Sequence, residues 1–133
     1  MERTLFLNPH GLEPARGARP YSTGFDLAKL TAYAMKDAAF RFYISQKERK
    51  IAFNRSGQVQ QYLLRNTNQL SGTQRVDGVK TGSTARAGEC IIISSQHDPE
   101  ITQQGGTTLV VVLGATNRTA EANGLVTRDW LLL

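Results

Sequence analysis

The hydrophobic pattern of this chain changes period partway along. Between Thr23 and Ile44 the apolar positions keep helical spacing: Leu27, Leu30, Thr31, Ala34 and Met35 fall three or four residues apart and predict one apolar helix face. Thr23, with Asp26 three residues on, has the spacing of a capping box and predicts that this helix starts at Ser22 or Thr23. A second, shorter helix is expected over 37–44. Before them, Asn8-Pro9-His10-Gly11-Leu12 followed by Pro14, Gly17 and Pro20 reads as an ordered loop, because Pro and Gly interrupt both regular structures.

Beyond residue 48 the pattern becomes that of strands. Residues 50–54 and 59–65 predict a hairpin joined through Ser56-Gly57. Segments 89–95, with Ile91, Ile92 and Ile93, and 107–115, with Leu109 to Leu113, are continuous β-branched and aliphatic runs. Such runs predict strands buried on both faces. His97-Asp98-Pro99 and Gly105-Gly106 would supply the turn between them, which places His97 in solvent. The chain then returns to helical spacing over 120–132, where Ala122, Leu125, Val126, Trp130 and Leu133 predict a single buried stripe. Helices, then strands, then a helix predict an α+β fold, an antiparallel sheet covered by helices, in one domain over residues 1–133. No internal repeat or linker divides the chain.

Composition narrows the classes of function. At 133 residues, 40% hydrophobic and 20% charged, the chain has globular proportions. No apolar run is long enough to span a bilayer. The net charge of +5 suits an anionic partner: nucleic acid, a membrane surface or a cell-wall polymer. The basic residues read as scattered over a solvated surface without an aromatic-rich basic motif, which argues against nucleic acid. The lone Cys90 reads as a small buried hydrophobe, and with His10 and His97 it does not make zinc-ligand spacing, so neither metal nor cofactor is expected. The first residues lack the basic and long apolar regions of a secretory signal.

The candidate chemistry lies in Val76-Asp77-Gly78-Val79-Lys80-Thr81-Gly82-Ser83-Thr84-Ala85-Arg86-Ala87-Gly88. Lys-Thr-Gly is one of three motifs that build the site of serine enzymes acting on D-alanyl peptides and penicillins. Asp77-Gly78 is expected to turn the chain into a strand, with Asp77 structural. Ser83-Thr84 continue the strand and Ala87-Gly88 reverse it. The other two motifs, Ser-x-x-Lys for the nucleophile and Ser-x-Asn, do not occur before Lys80.

Further matches run in order along the chain: Phe6 to Leu12; Ser22-Thr23 with Asp26-Leu27-Ala28 and Leu30; Asn66-Thr67-Asn68 with Leu70; and Val111 to Ala115 followed by Arg118 and Glu121. On these residues the chain resembles the C-terminal part of serine-type D-alanyl-D-alanine carboxypeptidases, the low-molecular-weight penicillin-binding proteins. The resemblance implies part of a β-lactamase/transpeptidase-like domain, without its N-terminal strands and nucleophile helix. It also implies acyl transfer on peptidoglycan stem peptides. Lys80 would serve proton movement and attract the substrate carboxylate, Thr81 would hydrogen-bond that carboxylate, and Gly82 would let the substrate lie against the strand. The Ser83 backbone N–H would be an oxyanion donor. Arg118 would help hold the terminal carboxylate, the competing reading being a solvated arginine that caps the last helix.

Asn66 and Asn68 are expected to pin a turn through side-chain to backbone bonds. Met1 falls inside a family segment, which suggests an internal start or a truncation. The family is periplasmic or extracytoplasmic. Alone, the chain is expected to be inactive and to bind β-lactams weakly or not at all. Its expected partners are D-alanyl-D-alanine peptides, the N-terminal half of the domain, or a second copy of itself. A non-catalytic binder of D-alanyl peptides and a nonfunctional remnant are the alternatives, while a class A β-lactamase is disfavoured because no Glu-x-x-Leu-Asn element precedes Lys80.

Overall fold

The computed structural model describes residues 1–73, 75–97 and 106–131. Two short helices, α1 (Gly24–Ala34) and α2 (Ala38–Ile44), precede a hairpin of β1 (Glu48–Arg55) and β2 (Gln58–Arg65). Three further strands, β3 (Val76–Thr84), β4 (Gly88–His97) and β5 (Gly106–Ala115), lead to the closing helix α3 (Arg118–Leu131). The architecture is α+β, as the hydrophobic pattern requires.

Local chemistry sets the helix starts where the sequence puts them. The Thr23 hydroxyl accepts the Asp26 backbone N–H at 3.1 Å and caps α1. Asp37 caps α2, its carboxylate accepting the N–H groups of Ala39 and Phe40 at 2.7 and 3.0 Å. Between β1 and β2 the turn residues Ser56 and Gly57 both take positive φ, 53° and 82°, which matches the right-handed twist of a hairpin.

β3, β4 and β5 form a three-stranded antiparallel sheet in that order, while β1 and β2 pair only with each other. The core sits where α3 crosses β4 and β5: Ile91, Ile93, Val110 and Val112 pack with Val76, Ala115, Ala122 and Val126. The opposite sheet face carries Ile92 and Val111, half-buried under α1, whose Gly24 leaves room for Val111 Cγ1. Ser94, on the same face, is wholly buried, so the expectation that both strands are buried on both faces holds fully on the α3 side and in part on the α1 side. α1 by itself covers that side incompletely, and its own Phe25 and Tyr33 remain exposed.

Other expectations are corrected by packing. Asp77-Gly78 does not turn into the strand; both residues are already in β3, opposite Ser94 and Ile93. The turn comes earlier, around Gly72 and Arg75, closed by bonds from Gly72 N–H to Val76 O and from Val76 N–H to Thr73 O, both 2.8 Å. His97 lies in β4 rather than in a solvated turn, and its Nε2 is 2.6 Å from the Thr108 hydroxyl on β5. Asp98, Pro99 and Gly105 of the expected turn lie outside the described residues. Cys90 is half-buried, its thiol directed at the Ala87 carbonyl, because it opposes the small Gly82 near the end of the sheet. In α3, Ala122 and Val126 face the core but Leu125 is exposed, so the buried stripe is narrower than its spacing suggested. The Trp130 side chain and Leu133 lie outside the description.

The N-terminal segment is tied down by charge. Asp26, buried, accepts the Arg3 backbone N–H and the Thr4 hydroxyl, both at 2.8 Å. The Thr4 bond is the main reason its carboxyl titrates below the ordinary value of 3.8, burial opposing and the backbone N–H groups of Arg3 and Glu2 and the terminal amine assisting.

Two predictions follow from this packing. Ile93, completely buried at the sheet centre, becomes a cavity on truncation, and Ile93→Ala should cost about 2–5 kcal/mol in a denaturant titration. A carboxyl with a depressed folded-state value stabilises above its unfolded value and loses that contribution as pH falls through the folded one. Anchoring of residues 3–5 should accordingly weaken as pH drops below about 4, read as faster amide exchange there, and Asp26→Asn should remove the pH dependence.

Candidate functional site

The residues singled out in the sequence collect along one edge of the sheet. β3 has β4 on one side and no strand on the other. Its register slips by one residue between Gly78 and Lys80, leaving Val79 as the extra residue of a β-bulge. Directly paired residues share a face. Before the slip, Val76 and Gly78 oppose Ser95 and Ile93 on the face covered by α3; after it, Lys80 opposes Ile92 on the other face. Without the bulge, the lysine would continue the alternation of Val76 and Gly78 and face the core. With it, Lys80 is exposed and its ammonium donates to the Thr81 carbonyl.

Around the bulge the connection from β2 is locked by a short ladder. The Asn66 side-chain oxygen accepts the Asn68 N–H at 2.9 Å, and that of Asn68 accepts the Leu70 N–H at 3.0 Å. The Asn66 amide also donates to the Ile44 and Gln46 carbonyls at 3.4 and 3.2 Å. Both asparagines pin the turn as their composition suggested. Gly78 is required beneath them: a Cβ there would lie 3.0 Å from the Asn66 amide nitrogen and 3.1 Å from that of Asn68. The same connection brings the Thr67 hydroxyl to 2.6 Å from that of Thr81.

Further along the edge, a Cβ built on Gly82 would meet nothing within 4 Å, so the strand backbone there is open to a ligand. The Gly82 carbonyl accepts from Arg118 Nη1 at 3.1 Å, across 36 residues of sequence. Arg118 is itself held from behind, its backbone N–H donating to the Glu89 carboxylate at 3.1 Å. The cap of α3 belongs to Asn117, whose side-chain oxygen accepts the Ala120 N–H at 3.0 Å. Ser83, exposed, follows Gly82, and the Thr84 hydroxyl donates to Glu13 at 2.8 Å. Glu13 also lies 3.6 Å from the Arg86 Nε, latching the N-terminal loop to the end of β3.

The structure thus brings Lys80, Thr81, Gly82, Ser83 and Arg118 to one open edge. Among the described residues no ion pair engages Lys80 or the Arg118 guanidinium, so the edge is cationic. His10 is not part of it: its Nδ1 accepts the Leu12 N–H at 3.1 Å inside the Asn8–Leu12 loop. No cluster of metal-binding side chains occurs among the described residues. Thr67, in the Asn66-Thr67-Asn68 segment that carries part of the resemblance, reaches Thr81, whereas Glu89 and Glu13 had no local sequence signal and arrive through tertiary contacts alone.

Known proteins resemble most of the chain. A family model described as D-alanyl-D-alanine carboxypeptidase matches residues 1–117. A point mutant of the Streptomyces K15 DD-transpeptidase superposes with a TM-score of 0.75 at 26% identity, over 89% of this chain and 45% of that one. Penicillin-binding protein D2 from Listeria monocytogenes, solved with cefotaxime bound, superposes with a TM-score of 0.66 at 26% identity, over 96% of this chain and 46% of that one. No curated protein matches the chain. The chain spans less than half the length of these solved relatives. An antiparallel sheet edged by Lys-Thr-Gly, matched by the family model over residues 1–117, makes this chain a member of the D-alanyl-D-alanine carboxypeptidase family.

Proposed function

We propose that the chain is the substrate-binding wall of a serine acyl-transfer site acting on D-alanyl-D-alanine ends of peptidoglycan stem peptides. The observation that carries this reading is the unpaired β3 edge, with Lys80, Thr81 and Arg118 placed along it and open space over Gly82. An extended peptide can add to such an edge as a further strand, main-chain bonds giving affinity and flanking side chains giving selectivity. Two cations and a hydroxyl beside it suit a C-terminal carboxylate, and the guanidinium of Arg118 matches that group's planar geometry.

In the reaction, a serine oxygen attacks the carbonyl between the two D-alanines. The C–N bond then breaks, the terminal D-alanine leaves with the proton taken from the serine, and water later cleaves the acyl ester. Lys80 orders the carboxylate and assists proton movement. The Ser83 N–H donates to the developing oxyanion, an interaction whose loss costs on the order of 2.7–4 kcal/mol in other acyl-transfer sites. The serine itself has to come from another polypeptide segment, since neither Ser-x-x-Lys nor Ser-x-Asn occurs in this sequence.

A covering partner is supported by surface area. The chain exposes 9681 Å², whereas a compact monomer of 14.7 kDa exposes about 6,900 Å². The excess of about 2,700 Å² exceeds the roughly 800 Å² per side of a standard interface. It includes Phe25 and Tyr33 on α1, at 69% and 74% exposure. The partner that fits is the half of the family domain that carries the serine motifs.

Two experiments test this reading. Incubated alone with a fluorescent penicillin, the chain should remain unlabelled on a denaturing gel; mixed with a polypeptide carrying the preceding half of the domain, that partner should become labelled. Labelling of this chain would identify one of its own serines as the nucleophile and refute the proposal. No labelling of the mixture, despite a stable complex, would favour a non-catalytic binder. For the edge itself, Gly82→Ala should leave stability within about 0.5 kcal/mol, since the added methyl meets no neighbour, yet abolish binding of a D-alanyl-D-alanine peptide. Unchanged peptide binding in that variant would remove β3 as the binding edge.

A further inference from the structure

The β1–β2 hairpin and α2 are not absorbed by the site. Every residue of the two strands is exposed or half-buried, and no other strand pairs with either. A two-stranded hairpin without a covering layer is marginally stable in water, so this one is built to be covered. Its register sorts the side chains. Ile51 opposes Tyr62 and Arg49 opposes Leu64, so these share a face with Phe53 and Arg55, while Glu48, Lys50 and Arg65 occupy the other face. The first face carries four apolar residues, Ile51, Phe53, Tyr62 and Leu64, with Gln58 and Gln60 beside them and an arginine at each end, while Val59 and Leu63 lie exposed on the other face. The Phe53 and Tyr62 rings stack on the first face at 5.3 Å, both close to half exposed. At its root the Arg49 guanidinium lies 5.5 and 5.1 Å over the rings of Phe42 and Tyr43.

The charge expected to be scattered is concentrated here. Positions 36–65 hold seven Lys or Arg residues against Asp37 and Glu48, a net +5 that equals the formal charge of the entire chain. The remaining residues are neutral in sum. Pairing of this face with the same face of a second copy is disfavoured, because two +5 arms repel. A soluble polyanion would meet the charges but leave the aromatic strip in water. An anionic bilayer surface satisfies both: aromatic rings sit at headgroup level, arginine stems lie along the apolar layer, and their heads reach lipid phosphates.

We propose that the α2–hairpin arm docks on an anionic lipid surface, with the Ile51–Phe53–Tyr62–Leu64 strip entering the headgroup layer and Arg49 and Arg55 binding lipid phosphate. The docking surface is separate from the β3 edge, so either assignment stands if the other falls.

Flotation of the chain with vesicles tests this. Binding to phosphatidylcholine vesicles containing phosphatidylglycerol is expected, with little binding to phosphatidylcholine alone and a decline as salt is raised. Arg49→Ala with Arg55→Ala should weaken binding by roughly twenty-five-fold, about five-fold per basic residue. A Phe53→Trp variant, which keeps an aromatic ring at the position, should shift its emission to the blue on the anionic vesicles only. Circular dichroism of each variant confirms that the fold is retained. Absence of binding to anionic vesicles would overturn the proposal and leave an acidic protein as occupant. Binding without an emission shift, fully competed by a soluble polyanion, would overturn it in favour of a purely electrostatic surface.

Discussion

One extra residue in β3 governs the site. A strand alternates its side chains with period two, so an insertion of one residue exchanges the faces of everything that follows. In this sheet the insertion is Val79. On one side of it Val76 and Gly78 belong to the face covered by α3, and on the other Lys80 has crossed to the open face. A lysine held against Ile91, Ile93 and Val126 would be an unpaired buried charge, which is costly. The bulge satisfies the requirement for a dry core and for an accessible cation within five residues.

The bulge is itself held in place by its surroundings. Asn66 and Asn68 bridge α2, the hairpin root and the loop before β3, and Gly78 makes room for both amides. At the far end, Glu13 and Arg118 grip Thr84 and the Gly82 carbonyl from segments distant in sequence. The free edge of β3 is therefore fixed to the rest of the fold at both ends, and within it the Thr81 and Gly82 carbonyls already accept from Lys80 and Arg118.

The quality of packing differs across the molecule. Where α3 meets β4 and β5 the core is dry, with Ile91, Ile93 and Ala122 almost wholly excluded from water. On the α1 side and along the hairpin, large apolar side chains remain exposed. Solved relatives about twice as long superpose over 89% and 96% of this chain, so the uneven packing belongs to a fold that they share. Charge then separates the exposed regions. The arm carries the net positive charge and the rest of the chain is balanced.

What the sequence by itself determined was whatever depends on near neighbours along the chain. The start of α1 followed from Thr23 as a side-chain cap, strand identity from the Ile and Val runs, and the hairpin from Ser56-Gly57. The Lys-Thr-Gly strand and its Ala87-Gly88 reversal were equally legible, since turn and strand propensities act within a few residues. Tertiary structure decided the rest. Asp77-Gly78 resembles a turn locally, but pairing with β4 draws it into the strand. His97 resembles a solvated turn residue until Thr108 arrives from β5. Neither the side on which Lys80 emerges nor the meeting of Glu13, Thr67, Glu89 and Arg118 at β3 can be read from spacing. The first depends on a register shift set by two strands together, and the second on contacts between segments up to 71 residues apart.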